Sequence, residues 1–108
     1  MKAERQNEDS VHFFVSNQSL AVDPSSIEVG IDGRQIFQRE LRTGTQHTWE
    51  RATISVSPGK HTMTVREAKT QTHRSQELDV SRELWVVIRF LGPTQLKVDV
   101  FDHPVGLM

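Results

Sequence analysis

The sequence predicts an all-β fold: an antiparallel two-sheet β-sandwich of seven or eight strands, immunoglobulin-like or related. Short stretches of alternating apolar and polar residues recur at intervals of about 8 to 12 residues, the spacing of sandwich or barrel strands. Gly, Pro, Asp and Ser stand between those stretches and mark turns. No stretch repeats its apolar residues at the helical period. A sandwich is preferred to a closed barrel because only one strand, residues 84–91, reads as central.

The chain has 108 residues, enough for one domain that buries on the order of two thirds of its unfolded surface. Residues 1–9, Met-Lys-Ala-Glu-Arg-Gln-Asn-Glu-Asp, offer almost nothing to bury and are expected to form a disordered arm. The sandwich itself is expected over residues 10–102, and residues 103–108 as a loose tail.

Val11, Phe13 and Val15 alternate on one face of the first predicted strand, with Phe14 on the other. Asp23-Pro24-Ser25-Ser26 has the composition of a type I turn, and Leu20 and Val22 offer a short edge strand before it. Ile27, Val29 and Ile31 then alternate up to Asp32-Gly33, a pair suited to a type I′ hairpin because both of its residues accept positive φ. On the return strand, residues 34–41, strict alternation pairs Ile36 with Val29 and leaves Phe37 and Leu41 facing outward, so a β-bulge is expected. Ile54 and Val56 precede Pro58-Gly59, and Met63 and Val65 follow it, with Thr and Ser on the opposite face.

That last stretch is either a hairpin or an arch between sheets. A hairpin would set Arg51 against Arg66 and Glu50 against Glu67, and like charges directly opposite are unfavourable. The arch is therefore preferred. Residues 68–74 read as a polar loop and 75–80 as a modest strand. Leu-Trp-Val-Val-Ile-Arg-Phe-Leu at 84–91 is apolar on both faces and predicts a covered central strand. Gly92-Pro93-Thr94 reverses the chain into a last alternating strand at 95–101.

Val-Gly-Ile-Asp-Gly at 29–33 and Val-Ser-Pro-Gly-Lys-His-Thr-Met-Thr-Val at 56–65 resemble bacterial small β-sandwich modules of the PEGA and immunoglobulin-like kind. The resemblance covers about residues 27–67. It implies that the Pro-Gly segment leads into a late strand, in agreement with the arch, and it transfers no functional residue.

Composition narrows the function classes. Thirteen basic and 14 acidic residues are spread along the chain without a basic run, which disfavours nucleic acid. No stretch approaches the ~20 apolar residues of a membrane span, so no membrane insertion is expected and the chain reads as soluble. The absence of Cys excludes disulfides and thiolate metal sites.

Reactive constellations are missing. His12, His47, His61, His73 and His103 lack the spacing that would place two imidazoles together on a strand or helix, and no metal site is assigned. Asp23, Asp32, Asp99 and Asp102 do not form a calcium loop. Glu67 or Glu77 with Asp79 reads as a solvated face rather than an acid–base pair, and no Gly-x-Ser-x-Gly elbow is present. The expectation is a chain without catalytic residues or cofactor.

An excess of apolar surface remains. On the strand at 84–91, Trp85, Val87 and Leu91 stand opposite Leu84, Val86, Ile88 and Phe90, and only one set can face a two-sheet core. Trp85, Val87, Leu91 and Phe37 are the candidate interface, for a protein partner or a homo-oligomer, with Trp49 and Phe14 able to extend it. The alternative use is carbohydrate: Trp49 and Trp85 would stack on a sugar ring while His47, Glu50 and Arg51 hold its hydroxyls.

Overall fold

The computed structural model describes residues 8–19, 21–42 and 49–106. The alternating stretches become eight strands: β1 (Asp9–Asn17), β2 (Ser25–Ile31), β3 (Arg34–Leu41), β4 (Glu50–Val56), β5 (Gly59–Glu67), β6 (Thr72–Val80), β7 (Leu84–Gly92) and β8 (Gln95–Phe101). They form two four-stranded sheets. Sheet A has the order β4-β1-β7-β8 and sheet B the order β3-β2-β5-β6. One side chain in two from each sheet points inward, and Phe13, Ile88 and Phe90 of sheet A meet Ile27, Met63 and Leu78 of sheet B in a single buried cluster.

β4 and β5 lie in different sheets, so Pro58-Gly59 is an arch. Gly59 has φ 122°, a conformation that favours glycine. β2 and β3 form the expected hairpin, with positive φ at both Asp32 (51°) and Gly33 (84°) as a type I′ turn requires.

Sheet A is mixed, not antiparallel throughout: β1 pairs antiparallel with β4 but parallel with β7, Val11 lying beside Leu84 and Val15 beside Ile88. Parallel neighbours need a crossover rather than a tight turn. Here the whole of sheet B lies on the chain between them. β7 is central, as its apolar run predicts, and both β1 and β8 flank it.

Three local expectations are revised. The bulge falls at Val29/Gly30 and takes Ile36 as the extra residue, so Val29 pairs with Phe37. Phe37 and Leu41 consequently turn inward and are buried, at 5% and 6% exposure. Residues 21–24 form a bend with a cis Asp23–Pro24 peptide in place of a type I turn over 23–26, and β2 starts at once at Ser25. Leu20, one half of the suggested edge strand, lies outside the described residues. β6 starts at Thr72, three residues early, because the connection is a tight turn over 68–71 with Gln71 at φ 64°.

That turn is built on Glu67, whose side chain is fully buried at the end of β5. Its Oε2 accepts from the Ser26 amide at 2.7 Å, and its Oε1 accepts from the Thr70 amide (2.7 Å) and hydroxyl (2.8 Å). Burial alone would push this carboxyl up. The hydrogen bonds from Ser26, Thr70 and the Lys69 backbone outweigh burial and hold it below the usual carboxylate range.

The sides of the sandwich are bridged by arginines from sheet B. Arg74 of β6 donates to the Leu96 carbonyl of β8 at 3.4 Å, and the Thr72 hydroxyl donates to the Pro93 carbonyl close by. On the opposite side Arg39 of β3 lies 3.8 Å from Glu50 of β4. Each arginine leaves an inward-facing position of an edge strand, a device that blunts edge pairing.

Candidate interaction face

Sheet A turns a second face outward, and its registers fix which side chains share it. Across β4, β1, β7 and β8, one row reads Thr53, His12, Trp85, Phe101, and the next reads Arg51, Phe14, Val87, Asp99. The strands present these residues because β1 and β7 carry apolar side chains at consecutive positions and can bury only one set inward.

In the first row three ring systems lie side by side. The His12 and Trp85 rings stack with centroids 5.1 Å apart and planes at 23°. His12 is held by both nitrogens: Nε2 donates to Glu83 at 2.5 Å, and Nδ1 shares a hydrogen bond with the Thr53 hydroxyl at 3.0 Å. Phe101 meets His103 edge-on at 5.6 Å. Trp85 and Phe101 remain half-buried.

In the second row the apolar groups are roofed by charge. The Arg51 guanidinium lies 5.5 Å from the Phe14 ring centre, and Arg89 lies 5.6 Å from that of Trp49 while it donates to Asp99 at 3.1 Å. Val87, flanked by Phe14 and Asp99, is only 1% exposed. Leu91 is half-buried in the irregularity that breaks the β7–β8 register between Phe90 and Gly92. Of the four candidate interface residues, Trp85 and Leu91 thus reach the surface, Val87 lies beneath its neighbours, and Phe37 belongs to the core.

The carbohydrate set is not brought together. Glu50 pairs with Val15 and points toward the inner side, where it meets Arg39, whereas Arg51 points outward over Phe14. One face of Trp49 is occupied by Arg89. His47 lies outside the described residues.

A second cluster, which the sequence reading missed, joins the hairpin to the arch. Asp32 Oδ2 lies 2.6 Å from His61 Nδ1, its Oδ1 accepts from the Thr62 amide at 2.9 Å, and His61 Nε2 donates to the Ser57 carbonyl at 2.7 Å. Both ring nitrogens therefore face acceptors, an arrangement that favours the doubly protonated ring. The Asp32 hydrogen bond, then that to Ser57, raises the His61 pKa above its ordinary value. The Thr62 amide, then His61, lowers that of Asp32. A cleft of about 260 Å³ opens beside the pair, with Ile36, Ile54 and Val56 on its apolar walls. The signal was present in two motifs already singled out, Asp32-Gly33 and Pro58-Gly59-Lys60-His61, but only the β2–β5 register, Ile31 beside Met63, unites them.

Among the described residues no group of three His, Asp or Glu side chains could hold a metal ion. No helix among them is long and apolar enough to cross a membrane. Comparison with known protein families finds no matching family model, and comparison with curated proteins finds no match.

Proposed function

We propose that this chain is a non-catalytic β-sandwich interaction module, similar in kind to small bacterial immunoglobulin-like modules, that holds a protein partner on the outer face of sheet A around Trp85. The observation that carries the reading is the half-buried indole of Trp85, set in a row of rings on the central strand. Such a site is pre-organised. β7 is hydrogen-bonded on both sides, His12 braces the indole, and Glu83 and Thr53 brace His12. An anchoring tryptophan ringed by polar side chains is the usual composition of an energetic centre in protein–protein recognition.

The test is retention of protein partners from the source proteome on the immobilised full chain, beside Trp85→Ser. Truncating a dominant anchor removes about 2 kcal/mol or more, roughly a thirtyfold loss of affinity. The expected result is one set of partners lost on Trp85→Ser, with far-UV circular dichroism and thermal midpoint close to the parent. Retention of the same partners by Trp85→Ser would refute the site. A glycan array run in parallel separates the carbohydrate reading: a defined glycan signal abolished by Trp85→Ser, with no protein partner, would replace the proposal.

A further inference from the structure

We infer that two copies of this chain pair antiparallel along β8, centred on Val98, and join their A sheets into one. The inference stands on the β8 edge of the sheet, beside the face that carries Trp85, and Asp99 belongs to both. Val100, on this edge strand, is the large apolar side chain that stands exposed among the described residues, at 38%. β8 reads Gln-Leu-Lys-Val-Asp-Val-Phe and is complementary to itself. About Val98, Lys97 falls opposite Asp99 of the second copy and Asp99 opposite its Lys97. Leu96 likewise falls opposite Val100, and Val98 opposite Val98. Opposite charges directly across a ladder favour pairing, and the apolar set continues the inner face of the sheet and covers Val100.

The backbone is available for this. The Leu96 carbonyl points away from β7, since it accepts from Arg74, and by alternation Val98 and Val100 present their amides and carbonyls on the same free edge. Residues of that set facing each other exchange two hydrogen bonds per pair. The Arg74 bond to the Leu96 carbonyl, 3.4 Å long, gives way at that end of each β8.

The other edges fit worse. β3 carries a bulge and the inward-facing Arg39. β6 paired about Gln76 would set Arg74 against Leu78 within the apolar side, and β4 paired about Thr53 would set Glu50 against Val56. Neither β6 nor β4 offers an opposite-charge match of the kind Lys97 and Asp99 make.

Sedimentation velocity of the full chain across the micromolar to millimolar range tests the proposal. The parent is expected to approach twice its 12.4 kDa mass. Lys97→Asp and Asp99→Lys, each creating two like-charge contacts, are each expected to raise the dimer dissociation constant about tenfold. Mixing the two variants in equal amounts is expected to recover the dimer, because the two carboxylates that the first variant carries on β8 then face the two ammonium groups of the second; this arm also shows that each variant is folded. A parent that stays monomeric overturns the proposal, as does a single variant that dimerises like the parent or a mixture that stays monomeric. Trp85→Ser leaves this mass unchanged, so loss of partner capture and loss of the dimer are read separately.

Discussion

Replacing Glu67 tests whether the β5–β6 turn depends on one buried carboxylate. Glu67→Ala leaves the Ser26, Lys69 and Thr70 amides without their acceptor, while the Thr70 hydroxyl keeps Thr72 as a neighbour at 2.7 Å. A buried donor left unpaired costs about 1–3 kcal/mol and a part-buried one less, so these part-buried amides and the lost packing set the expected destabilisation at about 3–5 kcal/mol. That is a large share of the ~5–15 kcal/mol that holds a typical domain together. Glu67→Gln keeps the shape but places an amide NH₂ against at least one N–H donor, for a cost of about 2 kcal/mol. Urea denaturation at pH 7 is expected to rank the parent above Glu67→Gln and Glu67→Gln above Glu67→Ala. The pH dependence has a definite sign. Because the folded carboxyl lies below its ordinary value of 4.5, its contribution is present above that value and lost as pH falls through the folded one. Glu67→Gln lacks that part of the acid slope. A Gln variant within about 0.5 kcal/mol of the parent, with an unchanged acid slope, would refute the assignment.

The clamp between hairpin and arch makes its own pH prediction. His61 has its pKa raised above the ordinary 6.5, so the stability it contributes is complete below 6.5 and is lost as pH rises through the folded value. Asp32, held low, contributes above 3.8 and loses its contribution as pH falls through its folded value. The thermal midpoint of His61→Gln is thus expected to fall below the parent's most clearly between those limits and to converge with it in alkali; a constant gap across pH would count against an ionic clamp. Ser25 supplies a test of opposite sign. Its hydroxyl is buried with no partner among the described residues, so Ser25→Ala is expected to be neutral or stabilising by up to about 1 kcal/mol in urea titrations, and a clear loss would refute this.

Local chemistry carried the turns. Asp32-Gly33 demanded positive φ twice, and the like charges at Arg51/Arg66 and Glu50/Glu67 argued against a hairpin, which is why the arch was legible. Where an extra residue sits was not legible. Ile36 and Phe37 are adjacent apolar residues, and alternation alone does not say which of them the bulge absorbs. The parallel pairing of β1 with β7 was hidden because both strands are apolar at successive positions, and period-two patterning carries no direction. Glu67 looked like half of a surface carboxylate pair with Asp79. The β5–β6 register instead places Glu67 opposite Thr72 and Asp79 opposite Lys60, at opposite ends of the ladder. For the face around Trp85, the sequence showed that β7 had apolar residues to spare, but not that His12 would brace the indole or that Arg51 and Arg89 would roof its neighbours. The separation of Glu50 from Arg51 was available from their adjacency, since neighbours on a strand point to opposite faces.

The position of β1 between β4 and β7 also orders events in time. β1 has its parallel neighbour far downstream, and Val11 must wait for Leu84. Sheet B, by contrast, closes from segments nearer one another along the polypeptide. β1 therefore lacks its β7 partner until residues 84–90 have been made, an interval in which a chaperone or an aggregating neighbour can reach its apolar side chains.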